Sequence, residues 1–341
     1  MGMGTGTDEA SPQDQAYGAV VGYWVSQTLL AAARLGVADQ IGDGLKTADE
    51  IARGLGTHGP STLRLLRALV TAGAVRAEDG RYGLSPFGQT LRTGVPGSMR
   101  SFFQGVMSED HRRAWGTLDD SVRTGETAFD RLFGMPVFEY YARNPAISAD
   151  FNDAMTAGSA AVEAAVLAAF DFAPFGRIVD VGGGSGGLLS AILGASAGAA
   201  GVLFDTPSGL AGARDLLKAR GVLDRCEIIP GDFFATVPGG DLVVLKWILH
   251  DWDDQRASAI VANCRKAAAP GSRLLVVETV LPDGDEPSIG RLGDLNMMAM
   301  TGGRERSGAE FRALLEAAGY TDVRILPTRS PFSIVEARAA G

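Results

Sequence analysis

Cysteine, histidine and basic charge are all scarce in this chain, and each shortage excludes something. Two cysteines, Cys226 and Cys264, stand among 341 residues. Two thiols build no disulfide framework, and each sits in an apolar or helical context that suits a small core filler. There are three histidines, no CxxC pair and no HExxH, so no transition-metal site is expected. Lys and Arg number 31 against 40 Asp and Glu, for a net charge of −9. That balance disfavours a nucleic-acid partner. The longest apolar stretches are Ala-rich and broken by charge or glycine, so none reads as a membrane span. The opening residues show no signal-peptide pattern, and a cytoplasmic location is expected.

Glycine is plentiful, at 46 residues. The apolar run Arg177-Ile178-Val179 leads into Asp180-Val181-Gly182-Gly183-Gly184-Ser185-Gly186-Gly187. A strand that enters a glycine-rich turn and then a helix makes a nucleotide cradle. Gly182, Gly184 and Gly187 satisfy the dinucleotide pattern GxGxxG, which is weak evidence alone. Gly182, Gly184 and Gly186 after Asp180 satisfy the DxGxG pattern of methyltransferases. The carboxylate favours the second reading. It would repel a pyrophosphate and attract the amino group of S-adenosylmethionine.

The length suggests two domains. Tyr17 to Leu35 has apolar residues at helical spacing and stops at Gly36. Thr47-Ala48-Asp49-Glu50 is a capping box. Pro60-Ser61 opens a helix with Leu63, Leu66 and Leu69 on one face, and Asp79-Gly80 is a hairpin turn within Val75 to Leu84. Helix, helix, helix, hairpin is the winged-helix order. Arg64 and Arg67 alternate with leucines, which suits packing and dimerisation better than phosphate contact. The first helix has more apolar surface than one small domain covers, so a homodimer is expected.

From Gly176 short apolar runs alternate with helical patterns. The runs are Arg177–Val181, Gly201–Phe204, Cys226–Ile229, Asp241–Leu245, Arg273–Val277, Thr321–Leu326 and Phe332–Glu336. Helices are expected near 187–193, 210–219, 255–269 and 308–318. The alternation predicts an α/β domain with a doubly wound, mostly parallel seven-stranded sheet, Rossmann-like, with ligands at the carboxyl ends of the strands. The expected divisions are a disordered tail over 1–14, a winged-helix-like domain over 15–97, a helical linker and substrate region over 98–170, and the nucleotide-binding catalytic domain over 171–341.

The candidate residues lie at those strand ends. Asp205 closes the second strand, where a carboxylate accepts both ribose hydroxyls. Asp232 and Phe233 follow the third and suit an adenine's amine and ring face. His250 follows the fourth. An ordinary histidine, with a pKa near ~6.5, is mostly free base at neutral pH and takes a proton from a hydroxyl. Glu278 and Glu305 are both candidates to orient it, the first by its strand-end position and the second by the Gly302-Gly303 approach. Asp251, Asp253 and Asp254 read as a solvated helix cap. His58 and His111 are weaker candidates.

The ordered set Phe151–Met155, Asp180–Gly186, Phe204-Asp205, Gly231-Asp232-Phe233, Leu249-His250-Asp251-Trp252 and Gly302–Arg306 resembles a family. It is that of the small-molecule O-methyltransferases typified by the plant caffeic acid and hydroxyindole enzymes, with bacterial members that tailor antibiotics. The resemblance spans roughly residues 15–340. It implies the class I methyltransferase fold with an N-terminal dimerisation domain, S-adenosylmethionine as cofactor and no metal. It also implies that the glycine loop, Asp205, Asp232, Phe233 and Lys246 hold the cofactor. His250 would be the general base, flanked by Glu278 and Glu305. A small aromatic substrate would lie against Trp115, Phe151, Met155, Asn296 and Met300, aided by a partner's N-terminal helix. The segment before Gly302 is a residue shorter than in the plant enzymes, as in bacterial members.

The reaction so implied is direct displacement, with His250 removing the proton of a phenol or enol as its oxygen attacks the methyl in line. Three alternatives remain: a relative that binds the cofactor without transferring its methyl, as in hydroxylation or decarboxylation; a nicotinamide oxidoreductase; and a ligand-sensing winged-helix regulator. The presence of His250, the carboxylate of Asp180 and the acidic charge argue against them in turn.

Overall fold

The structure, a computed structural model, describes residues 11–341. It divides into one unit ending at Met107 and another over Ser108–Gly341.

The first unit opens with α1 (Pro12–Leu35), capped by Ser11, whose hydroxyl accepts from the Asp14 N–H. The helix thus starts five residues before Tyr17. Of the tail expected over 1–14, residues 1–10 lie outside the described residues, and Pro12–Asp14 form the first helical turn rather than a disordered segment. Pro at the first turn and a serine cap explain the early start. Then come α2 (Val37–Ile41), β1 (Lys46–Thr47), α3 (Ala48–Leu55), α4 (Gly59–Thr71), β2 (Val75–Glu78), β3 (Arg81–Leu84), α5 (Pro86–Gln89) and α6 (Arg100–Val106). The capping box forms at Thr47 and Glu50. Asp79 and Gly80 both take positive φ, as a tight hairpin between β2 and β3 requires. The two residues of β1 add to β3, which makes a three-stranded sheet where the sequence suggested a hairpin alone. Leu66 and Leu69 of α4 are buried with Leu29, Ile41 and Ile51, while Arg64 and Arg67 are exposed. The unit extends to Met107 because Arg100 of α6 donates to the Ala33 carbonyl at the end of α1.

The second unit begins with α7 (Glu109–Trp115), α8 (Leu118–Thr124), α9 (Ala128–Phe133), α10 (Val137–Arg143) and the long α11 (Pro145–Ala169). The sheet domain follows: β4 (Arg177–Val181), α12 (Gly187–Ala195), β5 (Ala200–Asp205), α13 (Ala213–Ala219), β6 (Cys226–Pro230), β7 (Leu242–Lys246), α14 (Asp254–Ala267) and β8 (Arg273–Glu278). It closes with β9 (Val280–Leu281), α15 (Gly290–Met300), β10 (Arg306–Ser307), α16 (Gly308–Ala317), β11 (Tyr320–Pro327) and β12 (Ser333–Ala339). The seven-stranded sheet has the order β11-β12-β8-β7-β4-β5-β6. Its pairs are parallel except those of β12 with β8 and β11. The doubly wound, mostly parallel sheet read from the sequence is therefore present. The pairing of β9 with β10 was not anticipated, since two-residue strands carry no periodicity.

Side-chain alternation sorts the core onto two faces. Val179, Val243, Leu245, Leu274 and Val276 pack with Ile260, Val261, Phe311 and Leu315 of α14 and α16. Ile178, Val244, Leu275 and Val277 pack on the other face with Val162 and Val166 of α11 and Leu188, Leu189 and Ile192 of α12. The same alternation places Asp180 and Lys246 on the α11–α12 face and Glu278 on the α14–α16 face. The order of winding reverses between β4 and β7, the point at which doubly wound sheets bind their ligands.

Candidate active site

The glycine loop bridges β4 and α12. Gly182 has φ 69° and Gly184 φ 56°. A side chain at Gly182 would strike Ile248, whereas nothing lies within 4 Å of a Cβ built at Gly184. The loop is packed beneath and open above, the shape a ligand's close approach needs. Asp180 lies beneath it, 2 % exposed. Neither of its carboxylate oxygens makes a hydrogen bond, although the Leu189 N–H is near enough to favour the anion. Burial raises its pKa to about 7, against the pull of Lys246. Two unpartnered oxygens on a buried carboxylate are costly unless a cationic donor meets them. They fit an ammonium group and not a pyrophosphate. Lys246 donates from Nζ to Ser159 Oγ at 2.7 Å and lies over the Trp247 ring. Trp247 itself has φ 58°, a strained conformation for a tryptophan.

Asp205 ends β5 and accepts from the Gly184 N–H at 2.8 Å and the Thr206 N–H at 2.6 Å. It braces the glycine loop from the neighbouring strand. Burial raises its pKa. Asp232 is exposed and forms a turn through the Phe234 N–H at 2.8 Å. Phe233 lies next to Gly182 and meets Trp252 edge to face. All the sequence-derived cofactor candidates therefore border one edge of the sheet.

His250 sits in a short 3-10 turn, Leu249–Asp251, directly after β7. The turn's free N–H groups need acceptors. Glu278, at the end of β8, supplies one: its Oε1 accepts from the N–H groups of Ile248, Leu249 and His250 at 3.1, 2.6 and 3.2 Å. The carbonyl side is held by Arg306, 1 % exposed, which donates to the Leu249 and Trp252 carbonyls and to Asp254. Gly303 packs so closely on His250 and Asp251 that any side chain there would strike their backbone. The ring is held separately. His250 Nδ1 and Glu305 Oε1 are 3.0 Å apart, and the Glu305 N–H donates to Asp294. The two glutamates thus divide the work left open by the sequence. Glu305 orients the imidazole, and Glu278 orients the backbone that carries it.

The electrostatics depart from expectation. Asp251 is largely buried, with its carboxylate 3.9 Å from His250 Nε2, and is not part of a solvated cap. Asp253 alone caps α14, through the Arg256 N–H. Burial opposes the imidazolium, but Asp251, the Glu305 hydrogen bond and the Glu278 charge outweigh it, and the His250 pKa is raised to about 10. The surrounding carboxylates therefore favour the imidazolium in the ligand-free protein over the free base that an isolated side chain would be. Burial also raises Glu278, and Asp251 to about 7.

On the substrate side, Trp115 Nε1 donates to Asn296 Oδ1 at 2.8 Å, which joins α7 to α15. Phe151 packs on Tyr141 at 4.8 Å between ring centroids. Met155 is half-buried on α11. Met300 is 2 % exposed and packs with Phe129 and Tyr141, so it backs the aromatic wall. His58 bonds Ser61, and His111 is buried against Ser108 and Asp110. Sequence reasoning missed Asp251, Asp294, Arg306 and the polar residues of α11. For α11 a signal existed: Asn152, Thr156, Ser159 and Glu163 recur at helical spacing in an alanine-rich stretch.

A sheet of this order, with its loops gathered around a carboxylate-lined glycine turn and a braced histidine, has the class I methyltransferase architecture. Residues 115–321 match the sequence model of the O-methyltransferase domain, and residues 18–94 that of the O-methyltransferase dimerisation domain. The chain belongs to this family. It is 44 % identical over 322 residues to the phenazine O-methyltransferase PhzM of Lysobacter antibioticus, covering 94 % of each chain. It is 42 % identical over 349 residues to the O-demethylpuromycin-O-methyltransferase of Streptomyces alboniger, covering 97 % of this chain and 93 % of that one. The solved structure of human N-acetylserotonin methyltransferase in complex with SAM matches with a TM-score of 0.90 at 28 % identity, covering 99 % of this chain and 100 % of that one. The chain is an S-adenosylmethionine-dependent O-methyltransferase, as its motifs suggested.

Nitrogen NMR of the ligand-free protein can titrate the His250 imidazole directly. Its midpoint is expected in the alkaline range. Asp251→Asn removes a negative charge that favours the imidazolium, so the midpoint should fall by roughly a unit or more. An unchanged midpoint would contradict the assignment.

Proposed function

We propose that the enzyme methylates a phenolic or enolic hydroxyl of an aromatic secondary metabolite, with His250 as general base. One observation carries this reading. His250 is fixed at the carboxyl end of β7 with Nδ1 engaged by Glu305, while Nε2 stays beyond hydrogen-bond distance of Asp251. A phenol has a pKa near ~10, so under about 1 % is ionised at neutral pH. A positioned base is worth about 10²–10⁴-fold.

S-adenosylmethionine, when bound, supplies an electrophilic methyl group on a sulfonium. Asp180 and Lys246 would hold its methionine end, Asp205 its ribose, and Asp232 with Phe233 its adenine; Gly182 and Gly184 admit it. Nε2 of His250 accepts the hydroxyl proton, and Glu305 stabilises the imidazolium through Nδ1. With a cation beside it the imidazole gives up its proton more easily, so the raised pKa of the empty cleft falls in the loaded one. Trp115, Phe151, Met155 and Asn296 would flank a flat acceptor, with Met300 behind them. The similarity to enzymes named for a phenazine and for acetylserotonin supports an aromatic acceptor.

His250→Ala should leave affinity for S-adenosylhomocysteine nearly unchanged and lower turnover by roughly 10²–10⁴. Wild-type turnover in that variant would refute the base. Calorimetry should show the adenosyl ligands binding and NADH not; preference for NADH would refute the cofactor assignment.

We further propose a cytoplasmic homodimer that acts on a small molecule and not on nucleic acid. Tyr17, Val20, Tyr23 and Trp24 of α1 are each more than half exposed, an apolar surface that a second copy would cover. No helix among the described residues is long and apolar enough to cross a membrane. Sedimentation should give a dimer at micromolar concentration. A monomer, or specific retention of duplex DNA, would contradict this.

A further inference from the structure

One face of α11 carries a polar stripe on an alanine-rich helix. Asn152, Thr156, Ser159 and Glu163 are spaced four, three and four residues apart, which aligns them along the helix. Each meets a segment at the nucleotide edge of the sheet. Asn152 Nδ2 donates to the Ser208 carbonyl at 3.1 Å. Thr156 Oγ1 lies 3.0 Å from Ser185 Oγ in the glycine loop. Ser159 Oγ accepts from Lys246 Nζ. Glu163 reaches furthest in: its Oε1 lies against Gly187, where any Cβ would strike it.

Glu163 is 6 % exposed, and no protein donor makes a hydrogen bond to its carboxylate among the described residues. Its neighbours in charge are Lys246 and Arg220. Asp180, also facing Lys246 and with Asp205 nearby, is buried with both oxygens unpartnered. Two buried carboxylates therefore face a lysine whose Nζ is already engaged by Ser159. Such an arrangement is costly when empty and fits one further cation. A helix-capping role accounts for it less well, because α12 begins at Gly187 without any side-chain hydrogen bond at its cap.

We propose that Glu163 is a cofactor-binding residue that closes, together with Asp180, around the ammonium group of S-adenosylmethionine. The assignment rests on the cofactor reading given above. It adds α11 to the elements that build the site.

The test compares two ligands that share adenosine and a thioether but differ in the amino-acid group: S-adenosylhomocysteine and 5′-methylthioadenosine. Glu163→Gln should weaken the first by roughly tenfold or more, since a hydrogen bond to a charged group is lost. It should leave the second within about twofold. Glu163→Asp withdraws the carboxylate by one methylene and should show the same selectivity to a lesser degree, which keeps the test open if the glutamine variant fails to fold. The thermal midpoint of ligand-free Glu163→Gln should hold or rise, because a buried carboxylate without a hydrogen-bond donor is removed. Equal weakening of both ligands, or a lowered midpoint with unchanged selectivity, would overturn the proposal in favour of a structural cap. Unchanged affinity for S-adenosylhomocysteine would overturn it outright. A wild-type protein that binds neither ligand would instead refute the cofactor reading itself.

Discussion

A single carboxylate oxygen, Oε1 of Glu278, accepts three consecutive backbone N–H groups at the end of β7. Peptide groups leaving a buried strand end must find partners, and here they find them on the adjacent parallel strand. The chain is thereby forced into a tight turn at the point where His250 occurs. Arg306 takes the carbonyls on the other side, and Gly303 lets its own segment lie flat on the turn. The backbone of the turn is thus fixed before the imidazole makes any contact. Glu305 then needs only to choose the ring's orientation and tautomer. Its place on the segment between α15 and β10 ties the ring to the same assembly that holds the turn.

That arrangement concentrates negative charge. Asp251, Glu278 and Glu305 surround one imidazole, and Asp180 and Glu163 face one lysine. Both groups cost folding energy in the empty protein, and both suit a site that receives a positively charged ligand. The strained tryptophan between them, Trp247, is what a chain must accept to turn away from β7 at once. Packing on Phe332 holds it there.

Much of this was legible in the sequence because it is written locally. The glycine loop, the strand alternation and the capping box at Thr47 each depend on neighbours in the chain, and a strand's carboxyl end marks a ligand edge whatever the tertiary detail. The winged-helix order was legible for the same reason. What depends on contacts across the sheet was not. Glu278 and Glu305 both stand close to His250, and only the fold shows that one addresses backbone and the other the ring. Asp251 looked like one more member of an acidic cap, yet the 3-10 turn swings it inward, away from Asp253 and Asp254. The stripe on α11 has a visible period, but an alanine-rich background made it look incidental. Two-residue strands such as β1, β9 and β10 form only because a partner is already in place.

The central claim is that His250 removes the acceptor's proton while the fold holds it in place. A series of acceptor phenols of graded acidity, assayed over a range of pH with the wild type and with His250→Asn, tests this most directly. If the claim holds, the rate loss in the variant is largest for weakly acidic phenols and shrinks steadily as the phenol ionises unaided, with the two rates converging at high pH. A loss that is uniform across the series and across pH would show that His250 only supports the structure, and the account would be wrong.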